Sequence, residues 1–193
     1  KDEKDEKEKD EKLEKTIEKF EFKKEEDNLN SVEYIQREYQ KIIIDNSIEY
    51  FKTHNKGILV LMCGVGKTLI SLWITKRLNS NNILIGVPNK LLLNQWIKVI
   101  SNIFINTPLL CVCEGINIKY ITKFLKKNIK KCVIVSTYSS IYKVVKSCIE
   151  SNFLFDMKIL DEVHHITTCN LEEDNSKKYI QVLNVPSLKQ LSL

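Results

Sequence analysis

The apolar positions of this chain switch between two rhythms. Short unbroken apolar runs alternate with segments whose apolar residues recur every three or four positions. The runs fall at 57–60, 82–87, 109–113, 132–136, 157–161 and 188–193, and predict strands. The periodic segments predict helices at 31–53, 69–74, 89–104, 118–127 and 140–150, with a short one at 176–183 that Pro186 closes. Ser31 stands where an N-cap is wanted, and Tyr34, Ile35, Tyr39, Ile42 and Ile43 give the first helix its spacing. Leu92, Leu93, Trp96, Ile97 and Ile100 give the 89–104 helix one apolar face. Strands that are apolar throughout are buried on both faces, so the pattern predicts an α/β fold: a mostly parallel central sheet with helices on both faces. In such a fold the loops at the carboxyl ends of the strands carry the ligand.

Two of those loops carry chemistry. Between the first strand and its helix lies Leu61-Met62-Cys63-Gly64-Val65-Gly66-Lys67-Thr68. A strand, a glycine-bearing loop ending in Lys-Thr and a helix form a phosphate cradle, in which loop and helix N–H groups face the anion. Lys67 is the point charge for the phosphates and Thr68 the hydroxyl for a Mg²⁺ ion. The general pattern begins with glycine, where this chain has Leu61. Taken alone, the octapeptide also reads as an ordinary strand-to-helix turn with a surface lysine.

The second loop follows the 157–161 strand as Asp161-Glu162-Val163-His164-His165. Adjacent acids at a strand end project differently and can divide the work, Asp161 holding metal and Glu162 serving as base toward water. Alone, the pair also reads as a solvated turn. His164, His165 and Cys169 offer a competing metal-ligand reading, which the pairing of these acids with Lys67-Thr68 makes the weaker one.

With both anchors placed, the chain resembles the first RecA-like domain of superfamily 2 helicases and translocases. The nearest branch holds the type III restriction motors and DNA-repair translocases of the DEAH kind. Arg37-Glu38-Tyr39-Gln40 resembles the box upstream of the P-loop whose glutamine reads adenine. Residues 62–68 resemble motif I, which in this superfamily often lacks its first glycine. Residues 87–96, from Val87-Pro88-Asn89 to Gln95-Trp96, resemble motif Ia, and Val135-Ser136-Thr137-Tyr138 resembles the Ser-Thr-Tyr element of motif Ib/Ic. Asp161-Glu162-Val163-His164 resembles motif II, with valine where alanine is more usual. Residues 188–193 resemble the strand leading to motif III, and the chain stops before that motif.

The resemblance implies a RecA-like P-loop NTPase domain over 31–193, with ATP and Mg²⁺ as cofactors. It implies that Arg37, Gln40, Cys63, Gly64, Val65, Gly66, Lys67 and Thr68 bind nucleotide, with Thr68 and Asp161 on the metal. Lys67, Asp161 and Glu162 are then the catalytic set, and His164 couples the site to motif III. Pro88, Asn89, Thr137 and Tyr138 are expected against a nucleic-acid backbone, DNA before RNA. Trp96 reads as core. A second RecA-like domain, with its arginine fingers, is the expected partner.

Composition adds an arm and removes some classes. Residues 1–12 are all charged, and residues 1–27 carry 9 Lys against 13 Asp/Glu. Such a segment buries too little apolar surface to join a core, so 1–30 reads as a solvated arm or linker. The remainder, 21 Lys/Arg against 12 Asp/Glu, is basic, which suits a polyanionic partner. Lys119, Lys123, Lys126, Lys127, Lys130 and Lys131 fall at helical spacing and read as a solvated face before a binding patch. The six cysteines form no C-x-x-C pair, and those in apolar runs read as small buried hydrophobes. No signal peptide or membrane-length apolar run is present, which suggests a soluble intracellular protein. The start at Lys1 and the stop at Leu193 within an apolar pattern suggest a piece of a longer chain.

Overall fold

The structure, a computed structural model, describes residues 33–164 and 179–193. The arm at 1–30, Ser31, His165, Cys169 and the start of the helix expected from 176 lie outside the described residues.

The described strands are β1 (Lys56–Ile58), β2 (Asn82–Val87), β3 (Leu109–Val112), β4 (Cys132–Thr137), β5 (Phe155–Leu160) and β6 (Ser187–Ser192). They form one sheet in the order β1-β6-β5-β2-β4-β3, and every pairing is parallel. The helices are α1 (Glu38–Thr53), α2 (Lys67–Arg77), α3 (Lys90–Ile103), α4 (Ile118–Lys127) and α5 (Ile141–Ser151). Two 3-10 turns, Tyr138–Ser140 and Gln181–Asn184, complete the described elements. None of these helices is long and apolar enough to cross a membrane.

The pleat sends alternate residues to two cores. Ile83, Ile85, Val133, Val135 and Ile159 pack with Ile44 and Phe51 of α1, Ile70 and Leu72 of α2, and Leu93 and Trp96 of α3. Leu84, Ile134 and Leu160 pack on the other face with Ile121, Phe124 and Leu125 of α4 and Val144 and Cys148 of α5. The sheet is built in one direction to β3 and then back, and crossovers of one hand change face when the direction reverses. Cys132 and Cys148 are buried, and burial pushes their thiols, like that of half-buried Cys111, up to about 12. At neutral pH they remain thiols and pack as small apolar groups.

Two elements differ from the sequence pattern. The first helix starts at Glu38, and 33–37 carry no regular structure. Ile35 is exposed, so it belongs to no helical face. The N-cap is Arg37, whose backbone N–H donates to Gln40 Oε1 at 2.9 Å. The first strand is only Lys56–Ile58. It is an edge strand paired on one side, and Ile58, Val60 and Met62 remain exposed. The expectation of strands buried on both faces holds for β2 and β4 and fails there.

One buried lysine ties the last turn to the sheet. Lys158 of β5 is 2% exposed, and its ammonium donates to the carbonyls of Val182, Leu183 and Val185 at 3.1–3.2 Å. Burial, aided by the charge of Lys56, lowers its pKa from 10.5 to about 8. The unfolded chain therefore holds this proton more tightly. The proton-linked part of its contribution to stability is complete above 10.5 and is lost as pH falls to about 8, while the three hydrogen bonds remain. Lys158→Met removes the donor from three carbonyls, and a loss of about 1–3 kcal/mol at pH 7 is expected from urea midpoints. Between pH 8 and pH 10 the unmodified protein should gain stability relative to the variant; parallel pH profiles would contradict this account.

Candidate functional site

The phosphate loop is shaped by two interactions the octapeptide does not reveal. Gly66 has φ +90° and forms the N-cap of α2, and a Cβ there would lie 2.9 Å from Gln40 Nε2. Only glycine satisfies both the left-handed backbone and the close approach. Gln40 is 5% exposed and donates from Nε2 to the Val65 carbonyl at 3.0 Å. Tyr39 donates its hydroxyl to the same carbonyl at 3.2 Å. The box at 37–40 therefore braces the loop from α1. Arg37, Cys63 and Gly64 are exposed, and Val65, Lys67 and Thr68 are half-buried. No side chain caps α2, whereas Asn89 caps α3 through Leu92 N–H and Asn117 caps α4 through Tyr120 N–H. The first N–H groups of α2 thus retain their affinity for an anion.

Strand β6 separates β1 from β5, a span of roughly 10 Å at ordinary strand spacing. It links them directly, because Leu59 N–H donates to Ser192 O and Leu193 N–H donates to Leu160 O, both at 2.8 Å. Asp161, just past β5, is 7% exposed. Burial pushes its carboxyl above the usual carboxylate range, and the neighbouring charge of Glu162 adds to this. A hydrogen bond from Trp96, the charge of Lys67 and the Glu162 N–H act in the opposite direction. The two anchors are therefore within electrostatic reach of each other. Glu162 has φ +52°, rare for a residue with a Cβ, and lies 3.3 Å from His164 Nδ1. The adjacent acids meet different partners, Trp96 for Asp161 and His164 for Glu162.

Trp96 is more than core. Its indole N–H donates to Asp161 Oδ2 at 2.7 Å from a fully buried position. The available signal was the residue type, since a buried indole N–H seeks an acceptor. Tyr138, expected against nucleic acid, lies inside the protein: it is fully buried and donates its hydroxyl to the Asp161 carbonyl at 2.6 Å. Gly86 makes room for its ring, since a Cβ there would meet Tyr138 Cε1 at 2.8 Å.

Pro88, Asn89 and Thr137 come together on an open groove of about 520 Å³ at the carboxyl ends of β2 and β4, with Lys90, Ser139 and Lys143 also on its wall. Thr137 is itself nearly buried, and its hydroxyl lies 3.2 Å from that of Ser139. The lysines at 119, 123, 126, 127, 130 and 131 are all exposed on and just after α4, apart from this groove.

Compared with known proteins, the fold is that of the RecA-like cores of helicases and translocases. The type ISP restriction-modification enzyme LlaBIII bound to DNA superposes with a TM-score of 0.70 at 24% identity, over 82% of this chain and 12% of that one. The SWI2/SNF2 ATPase core of Sulfolobus solfataricus in complex with dsDNA gives 0.60 at 18% identity, over 84% of this chain and 32% of that one. In sequence, the transcript termination protein of Yaba-like disease virus is 26% identical over 139 residues, which is 68% of this chain and 27% of the viral protein. The chain thus spans about a quarter of the length of that curated relative. Residues 33–193 match the family of the type III restriction enzyme res subunit, and the chain belongs to that family.

Proposed function

We propose that this chain carries the nucleotide-binding part of an ATP-dependent motor that unwinds, or moves along, nucleic acid. The observation behind the reading is that β1, which leads to the phosphate loop, and β5, which ends at Asp161, both pair with β6, so two motifs remote in sequence share one edge of the sheet. The donor set suits Mg²⁺ and ATP: an uncapped helix N-terminus and a lysine for phosphate, a hydroxyl and a carboxylate for a hard cation. The loop from Cys63 to Thr68 would hold the phosphates, and Thr68 and Asp161 the metal. Gln40 uses one N–H and one lone pair on Val65 and Arg37. It keeps one of each, which is what a paired bond to adenine needs, and Arg37 lies beside it.

Bound Mg-ATP supplies a phosphoryl group for transfer to water. Glu162 would take the proton of that water, and His164, paired with it, would relay the state of the site. The groove at Pro88, Asn89 and Thr137 would carry the nucleic-acid backbone. DNA is the favoured polymer, because LlaBIII is described as bound to DNA and the Sulfolobus core as bound to dsDNA. The second of these also supports a duplex translocase that separates no strands. Residues 31–193 would be the first of two RecA-like halves. Arginine fingers in phosphoryl transfer are worth on the order of 10³–10⁵ in rate, so the chain without its second half should turn over ATP very slowly.

Two variants separate a motor from a scaffold with a vestigial site. Lys67→Ala should lose nucleotide binding. Glu162→Gln in the full-length protein should keep binding and lose about 10²-fold or more of turnover. Unchanged turnover in Glu162→Gln would remove the motor reading.

If the groove holds phosphates, log affinity for DNA should fall linearly with log salt. Lys90→Ala and Lys143→Ala should each make that slope shallower by about one. A slope unaffected by either substitution would place the DNA elsewhere.

A further inference from the structure

Every backbone polar group of Asp161, and one of its carboxylate oxygens, is held by an element that also builds the groove. Its N–H donates to Gly86 O at 2.9 Å, two residues before Pro88. Its Oδ2 accepts from Trp96, about two turns along the helix that Asn89 caps. Its carbonyl accepts from Tyr138, the residue after Thr137. The groove is thus lined by the N-terminus of α3 and the end of β4, and each sends one buried side chain to the same aspartate.

We infer that Trp96 and Tyr138 are positioning residues that tie Asp161 to the two walls of the groove, so that groove occupancy and metal binding at Asp161 are coupled. The inference rests on the proposal that DNA and Mg-ATP are the ligands. The physical argument is one of rigidity. The Trp96 bond fixes the plane of the carboxylate, and the Tyr138 bond fixes the peptide that follows it. A carboxylate accepts up to about four bonds, so a metal or its water can still be received. A shift of α3 or of residues 137–140 on a bound backbone moves a donor at Asp161 directly. The two bonds reach Asp161 from opposite cores, Trp96 from one and Tyr138 from the other, so a displacement of either wall reaches this residue independently. Coupling between two ligands is reciprocal. DNA should therefore tighten the metal-nucleotide by the same factor by which the metal-nucleotide tightens DNA.

The test is calorimetric binding of Mn²⁺ with a non-hydrolysable ATP analogue, with and without a DNA duplex, in the unmodified protein, Trp96→Phe and Tyr138→Phe. Each variant keeps a ring and loses one donor. Loss of an outer-shell donor typically weakens metal affinity 10–100-fold. Weakening of about that size is expected in Trp96→Phe, with the metal-free affinity for the analogue unchanged. In both variants the DNA-dependent factor should fall toward one. Folded variants that bind metal and respond to DNA as the unmodified protein does would overturn the inference while leaving the function standing. No DNA effect in the unmodified protein would overturn the function and this coupling together.

A second measurement serves if Trp96→Phe does not fold. The chain has two tryptophans, so Trp73→Phe leaves Trp96 as the sole indole. Its emission should be quenched by Mn²⁺ and shifted by DNA added without nucleotide. An emission indifferent to both ligands would overturn the inference.

Discussion

A carboxylate taken almost out of water must be surrounded by donors, and the architecture around Asp161 follows from that requirement. The strand that delivers it, β5, lies between β6 and β2, so its end is flanked on both sides. Gly86 of β2 accepts its N–H, and Trp96 reaches its side chain from one core while Tyr138 reaches its carbonyl from the other. Burial costs the charge part of its hydration and raises the pKa, while the indole N–H and Lys67 oppose that rise. A side chain held this way has little reorganisation left to undergo.

Its neighbour is treated differently. Glu162 sits on a left-handed backbone, partly open to solvent, with His164 as its companion. Two acids one residue apart would repel if they faced the same way. The reversed dihedral at Glu162 separates their surroundings, and unusual backbone of this kind collects at functional turns. On the other side of the site the phosphate loop has its own support. Tyr39 and Gln40 both donate to the Val65 carbonyl, so α1 fixes the loop, and Tyr50 of the same helix donates to the Lys56 carbonyl of the strand before it.

Much of this was legible in the residues. The bounds of β2 and α4 follow directly from apolar runs and periodicity, because both lie against a core that rewards each apolar position. The two chemical loops were legible because spacing between residue types defines them. The start of α1 was not, because Tyr34 and Ile35 fit a helical period while the chain through 33–37 is irregular and Gln40 closes the cap from inside. Trp96 and Tyr138 carried residue types that want partners, but the partner lay far along the chain in both cases. Their bonds exist only once β2, β4 and β5 have been laid side by side. Local pattern reports which residues are buried; it does not report what a buried polar atom meets.

The strand beneath the phosphate loop has a consequence in time. In chain order β1 is the first of the described strands, and its only described partner is β6, the last of them. Until β6 exists, Leu59 has no Ser192 carbonyl to bond, and the loop that follows is held by α1 and α2 without a paired strand beneath it. On a growing chain the strand side of the phosphate loop therefore cannot form early around α2 and α3. It waits for β6 to pass between β1 and β5, a long-range closure of the kind that slows folding. The order of synthesis thus leaves β1 unpaired until Asp161, Glu162 and the strand that spaces them from Lys67 are present.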